Sequence, residues 1–235
     1  VTGAEAYLIQ AMTYFKQQGI TDLVVDLRYN GGGYLAIANA LAYSVAGRAQ
    51  AQGKVFEWIY FSDKRSSENY AMNFNSFGLN NQAYPSLGIA KVYVLVTGGT
   101  CSASESFING LRGIDVPVEL IGSTTCGKPY GFYPQDNCGI TYAAMEVEGL
   151  NAKLEGRFSD GIVPQCTVLD DLNYPLGDAS ERMLSVAIKR MQGKSCSQAA
   201  DLVKSSQALF GMALRDDSVL LRPDWQTNKF LNPKP

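Results

Sequence analysis

Leu23-Val24-Val25-Asp26-Leu27-Arg28-Tyr29-Asn30-Gly31-Gly32-Gly33 is the stretch on which the fold class turns. Its first five residues are mostly apolar and β-branched in the middle, which suits a strand buried on both faces of a parallel sheet. Three glycines close it, and an alanine-rich helix departs over residues 35–45. Strand, glycine turn and helix in that order predict an α/β protein. The glycines let the backbone take positive φ or approach a ligand closely. They are poor evidence for a phosphate cradle, because neither GxGxxG nor GxxxxGK is present.

Upstream of this stretch, Thr2 and Glu5 have the spacing of a capping box, and Leu8, Met12 and Phe15 recur at helical period as far as Gly19. A helix over 3–18 is predicted. Downstream, 55–61 reads as a strand, whereas 62–87 is rich in Ser, Asn and Tyr with little periodicity and exceeds the usual connection several-fold. That segment is expected to pack as irregular structure, as a lid, rim or insertion near the site, unless it holds elements its pattern does not mark. Strands are predicted over 92–96 and 118–121, with a mixed strand over 140–147. A helix over 102–112 would turn Ala103, Phe107, Ile108 and Leu111 to the core. A later amphipathic helix, 179–191, would turn Met183, Leu184, Ala187, Ile188 and Met191 inward. Beyond residue 194 the only helical candidate is 202–212.

With 46% hydrophobic and 18% charged residues the chain has the composition of a globular protein. Its formal net charge of -2 offers no strong field to nucleic acid or to an acidic membrane surface. No run of 18 apolar residues occurs, and the sequence opens directly on a helical pattern, which suggests a processed or truncated product. Five cysteines leave at least one thiol outside any internal pairing. An oxidising compartment would allow one or two bridges, with Cys138 to Cys166 as one option; five ordinary thiols are the other reading. Histidine is absent, so an imidazole base from this chain is excluded, and the wide cysteine spacing argues against a zinc site. No metal or cofactor is expected.

Gly98-Gly99-Thr100-Cys101-Ser102-Ala103-Ser104-Glu105 places a serine where a strand and turn give way to a helix. The polar turn Gly122-Ser123-Thr124-Thr125-Cys126-Gly127-Lys128-Pro129 follows, and Pro129 keeps Lys128 out of the αR region and on a loop. Without histidine, a serine nucleophile needs another proton acceptor. A lysine serves if burial or nearby positive charge brings its pKa down from about 10.4 toward neutrality. Glu105 sits one helical turn beyond Ser102 and can reach back toward the serine or the lysine.

Together with the Asn30–Gly33 turn, these two segments resemble the carboxy-terminal processing (tail-specific) serine peptidase family. The resemblance runs from about Ala4 to Met191. It implies Ser102 as nucleophile, Lys128, 26 residues later, as general base, and the amides of Ala103 and Gly32 as an oxyanion hole. It also implies Glu105 as the residue that orients the dyad. Some members use an aspartate eleven residues after the serine instead, a position held here by Gly113, with Asp115 out of register. Relatives similar to the tricorn core peptidase take a histidine from an earlier region, which the Gly-Lys turn makes unnecessary.

The fold implied is a ClpP/crotonase-like stack of ββα units whose opening strand and any PDZ domain would precede Val1. The expected division is a catalytic core, 1–193, and a C-terminal extension, 194–235. The implied activity is endopeptidase hydrolysis of polypeptides through an acyl-enzyme, in the periplasm or another extracytoplasmic space. The alternatives are a noncatalytic peptide-binding or protein-binding module on the same fold and, with less to support it, acyl-CoA chemistry. Cys101 and Cys126 are read as structural, since no base exists to raise a thiolate. Arg28 is read as a structural partner of an acidic residue, and 160–164 as architecture. The aromatic residues of 130–133 either line a groove or pack.

Overall fold

The computed structural model describes residues 2–78, 81–197 and 229–230. Helix α1 (Thr2–Gln18) leads into β1 (Leu23–Asp26), the glycine turn, β2 (Gly33–Tyr34) and α2 (Leu35–Ala51). Next come β3 (Val55–Phe61), a 3₁₀ turn (Asp63–Glu68), β4 (Tyr70–Asn73) and β5 (Val92–Val96). Helix α3 (Ala103–Gly113), β6 (Val118–Gly122) and β7 (Tyr130–Gly131) carry the motif region. The remainder is β8 (Gln135–Asn137), β9 (Ile140–Tyr142), β10 (Val147–Leu150), β11 (Cys166–Thr167), α4 (Arg182–Met191) and β12 (Lys229–Phe230). The helical candidate at 202–212 lies outside the described residues.

One sheet is parallel throughout, in the order β1-β5-β6-β11. Strand β5 shows why its sequence is continuously apolar. Val92, Val94 and Val96 enter the main core with α2 and α3, while Tyr93 and Leu95 enter a second cluster under α4 with Ile121, Met183, Val186 and Ala187. Strand β1 is also packed on both faces, Leu23 and Val25 against the main core and Val24 against the second cluster, but it lies at the sheet edge, which leaves Val24 and Val25 half-buried and Asp26 exposed.

The second sheet is antiparallel, β4-β3-β10-β7. Strand β4 corrects the irregular reading of 62–87: its pairing with β3 depends on a partner strand and not on its own weak periodicity. The expected single strand over 140–147 is two elements, the exposed β8–β9 hairpin and buried β10. Helix α4 starts later than its periodicity suggests because Glu181 caps it, accepting from the amides of Met183 (3.1 Å) and Leu184 (3.0 Å). The Thr2 side chain lies outside the described residues, and Glu5 accepts the Tyr84 hydroxyl at 2.5 Å.

The cysteines pair as Cys101–Cys126 and Cys166–Cys196, leaving Cys138 free and exposed. The Cys138 to Cys166 option is thereby overturned: Cys138 sits in the β8–β9 turn, while Cys166 on β11 faces the chain that leaves α4. Among the described residues no helix is long and apolar enough to cross a membrane.

Candidate functional site

Ser102 occupies the junction between β5 and α3 with φ 61° and ψ -116°, a conformation that costs an L-residue on the order of 1–3 kcal/mol. The surroundings hold it there. The Asn30 carbonyl accepts from the Cys101 amide (3.1 Å) and the Ser104 hydroxyl (3.0 Å). The Thr100 hydroxyl donates to the Leu27 carbonyl at 2.6 Å. Thus the end of β1 and the glycine turn brace the serine turn from below. Ser102 is fully buried, and its Oγ has no hydrogen-bond partner among the described residues.

Gly32 packs against the serine turn. A Cβ at Gly32, where φ is 102°, would lie 2.8 Å from the Cys101 carbonyl oxygen, 2.9 Å from Ser102 Cβ and 3.0 Å from the Ala103 nitrogen. Only glycine fits this approach. The Gly32 amide donates to Asn30 Oδ1 at 3.0 Å, which fixes the direction of the turn.

Glu105 is the hub of the site. Its carboxylate is fully buried and accepts four donors. Oε2 receives the backbone amides of Ser102 (2.8 Å) and Lys128 (2.8 Å). Oε1 receives the Thr125 hydroxyl (2.5 Å) and the Gly127 amide (2.8 Å). Hydrogen bonds to an ionised acceptor are the stronger kind, so this one side chain fastens the lysine turn to the serine helix.

The lysine turn is held from its other side as well. Thr125 Oγ1 accepts the Ile162 amide at 2.7 Å, and the Cys126 amide donates to the Thr100 carbonyl at 3.0 Å. Gly127, at φ 83°, passes so close to residue 159 that a Cβ would stand 2.2 Å from the Ser159 carbonyl oxygen. Lys128 is half-buried at the end of this turn. The architectural reading of 160–164 is therefore specific: it is the strap over the lysine turn.

The other sequence candidates separate from this cluster. Arg28 is buried against Asp26 (2.7 Å), Glu181 (2.9 Å) and Asp170 (3.1 Å), joining the end of β1 to the cap of α4. Asp115 is exposed and pairs with Lys153. Phe132 is buried and Tyr133 stacks on Phe61 at 5.9 Å, so of these aromatics only Tyr130 is exposed. Tyr130 borders a groove of about 330 Å³ lined also by Tyr60, Met145 and Glu148.

Sequence reasoning missed two features. Thr125 bridges Glu105 to the strap, and nothing local marks it. The Cys101–Cys126 bridge did have a signal, since each cysteine adjoins one of two motifs expected to meet. Wide spacing also argued against metal clusters, yet folding brings Cys101, Glu105 and Cys126 within 4.8 Å of one another, and likewise Glu119, Cys166 and Cys196. In both clusters the sulfurs are joined as disulfides, which leaves no thiolate there to bind a metal.

The sequence model described as "Peptidase family S41" matches residues 2–131. An S41-protease structure from Bacteroides fragilis superposes with a TM-score of 0.72 and 29% identity over 80% of this chain and 49% of its own. The photosystem II D1 C-terminal processing protease gives 0.54 and 22% over 72% and 40%, and a lipoprotein from Streptococcus agalactiae 0.55 and 12% over 71% and 57%. The last two likenesses concern the fold alone. The chain spans about half the length of the Bacteroides protein. No curated protein matches it. With the family pattern running through both the serine turn and the lysine turn, this chain belongs to peptidase family S41.

Proposed function

We propose that this chain supplies the nucleophile and base of a serine endopeptidase, with Ser102 attacking the peptide carbonyl and Lys128 accepting its proton. One observation carries the reading: Ser102 sits on a strained strand-to-helix turn with a hydroxyl that has no partner among the described residues, and one oxygen of Glu105 holds the amides of both Ser102 and Lys128. Attack by Ser102 Oγ forms a C–O bond as its proton passes to neutral Lys128 Nζ. The protonated lysine then gives that proton to the leaving amine as the C–N bond breaks. Water, deprotonated in turn by the lysine, hydrolyses the acyl-enzyme and restores Ser102.

The oxyanion is assigned to the amides of Ala103 and Gly32; the close packing of Gly32 against Ser102 and Ala103 supports this, and the Gly32 amide would turn from Asn30 Oδ1 to donate to it. Glu105 touches neither reacting atom in this scheme; it positions the two segments that carry them. The groove at Tyr130, two residues past Lys128, suits an extended polypeptide. The fold this reading implies is a ClpP/crotonase-like stack of ββα units, in which β1 is an edge strand of the parallel sheet. The proposed division is a core of 1–193 and an extension of 194–235, most of which lies outside the described residues. Two disulfides fit an extracytoplasmic location.

The full burial of Ser102 favours a second reading, a binding module in which the serine is only structural. The two are separated by measuring cleavage of an unstructured polypeptide by the complete protein across pH, alongside Ser102→Ala, Lys128→Ala and Lys128→Arg. Enzymatic action predicts a rate that rises with pH as the lysine loses its proton, and losses on the order of 10³-fold or more in each folded variant. Arginine fails too, because its guanidinium does not deprotonate. Normal turnover and an unchanged pH profile in Lys128→Ala would remove the dyad.

A further inference from the structure

The two segments that carry the proposed dyad are joined by a covalent bond. Cys101 immediately precedes Ser102, Cys126 lies two residues before Lys128, and their sulfurs form a disulfide with Cα atoms 5.2 Å apart. We propose that this bridge is a redox-controlled clamp, which sets the lysine turn against the serine turn when oxidised and lets the pair drift when reduced. The proposal rests on the peptidase reading above, and it adds a regulator to that site, a dithiol reductant.

Three observations support it. First, the bridge is not the only link between the segments. The Cys126 amide still binds the Thr100 carbonyl, and Glu105 still binds the amides of Gly127 and Lys128. Opening the disulfide therefore leaves the fold standing and changes the freedom of the turn. Second, reduction alters the hub itself. Cys126 Sγ lies 3.7 Å from Glu105 Oε2, the oxygen that holds both Ser102 and Lys128. As half of a disulfide it has no proton to offer, whereas a free thiol there is a new donor competing for that oxygen.

Third, access is one-sided. Cys101 is buried, and Cys126 is not. An external thiolate attacks Cys126 Sγ, the Sγ–Sγ bond breaks, and Cys101 leaves as a thiolate that takes a proton from water. The reductant's second thiol then displaces Cys126 as a thiol and closes its own disulfide, so two electrons pass from the dithiol to the protein. The Cys166–Cys196 bridge, which fastens the chain after α4 to β11, has no atom in the Glu105 hub and serves as an internal control.

The test compares oxidised and dithiothreitol-reduced full-length protein with Cys101→Ala/Cys126→Ala and Cys166→Ala/Cys196→Ala. A chelator is included, since the freed thiols and Glu105 lie close enough to hold a soft cation. The readouts are kcat and KM on an unstructured polypeptide, the pH profile, and hydrogen exchange at residues 123–129. Expected on reduction are a kcat lowered by about 10- to 100-fold at near-constant KM, a displaced pH profile, and faster exchange at Gly127 and Lys128 with α3 unchanged. The first variant should ignore dithiothreitol and show the loosened lysine turn and lowered kcat of reduced protein without the added thiol donor, and the second should respond as the parent does.

Equal kcat, pH profile and exchange in the oxidised and reduced forms, with alkylation confirming that Cys101 and Cys126 were freed, would overturn the clamp. So would exchange rising throughout the chain, which would make the bridge a global staple. An oxidised protein that neither cleaves polypeptide nor reacts with a fluorophosphonate at Ser102 would instead refute the peptidase reading, and the clamp with it.

Discussion

At Ser102 the backbone holds φ 61° and ψ -116°, and among the described residues the hydroxyl has no partner while the amide is tied to Glu105. Glu105 matters through its charge state and its shape together, because four donors converge on two oxygens. Glu105→Gln should cost about 1–3 kcal/mol of stability, since an amide NH₂ must face a donor whichever way it is turned. Urea unfolding measures this. Turnover should also fall, though less than in Ser102→Ala or Lys128→Ala, because the glutamate positions the reacting groups without exchanging their proton. A folded Glu105→Gln protein with parental stability and turnover would refute the hub.

Among the elements, the lysine turn is held by neighbours on both sides. Gly127→Ala tests this, because the added methyl would stand 2.2 Å from the Ser159 carbonyl at a φ of 83°. We expect a loss of more than about 1 kcal/mol and reduced turnover, read from thermal melts and kinetics on the same preparation. Parental values would mean that the 159–162 strap yields easily. The parallel sheet offers a second, pH-based test at Glu119 on β6. Burial raises its pKa, but hydrogen bonds from Arg190 and Lys91 and their charges prevail and hold it below the ordinary 4.5. A carboxyl depressed in the folded state contributes stability above its unfolded pKa and loses it as pH falls through the folded value. Unfolding free energy should therefore decline below about pH 4.5, and Glu119→Gln should flatten that limb.

Across the whole molecule, Arg28 is the fastening between the site and α4. Its guanidinium is fully buried with Glu181, which is also fully buried, and with Asp170 and Asp26. Removing the cation by Arg28→Met would leave those carboxylates without it, at a cost on the order of 3–5 kcal/mol in chemical denaturation. A cost below about 1 kcal/mol would show that the acidic partners relax into solvent. Since the end of β1 braces the serine turn, turnover should decline with stability in this variant.

The amino-acid sequence by itself determined the elements whose signal is local. The apolar run of β5, the helical period of α1 and α3, the glycine turn after β1 and the proline after Lys128 each act within a few residues, and all appear where the pattern puts them. The family was also legible, because the serine turn and the lysine turn keep their residue types in order along the chain. Tertiary structure decided everything that depends on a distant partner. It put β1 at an edge, made β4 a strand by pairing it with β3, matched Cys166 with Cys196, and set Thr125 between Glu105 and Ile162. Such pairings join residues whose separation leaves no period to read, and they form only once packing has brought the segments together. Glu105 shows both sides. Its helical spacing from Ser102 told that it could reach back, and only the fold revealed that the same oxygen also holds Lys128.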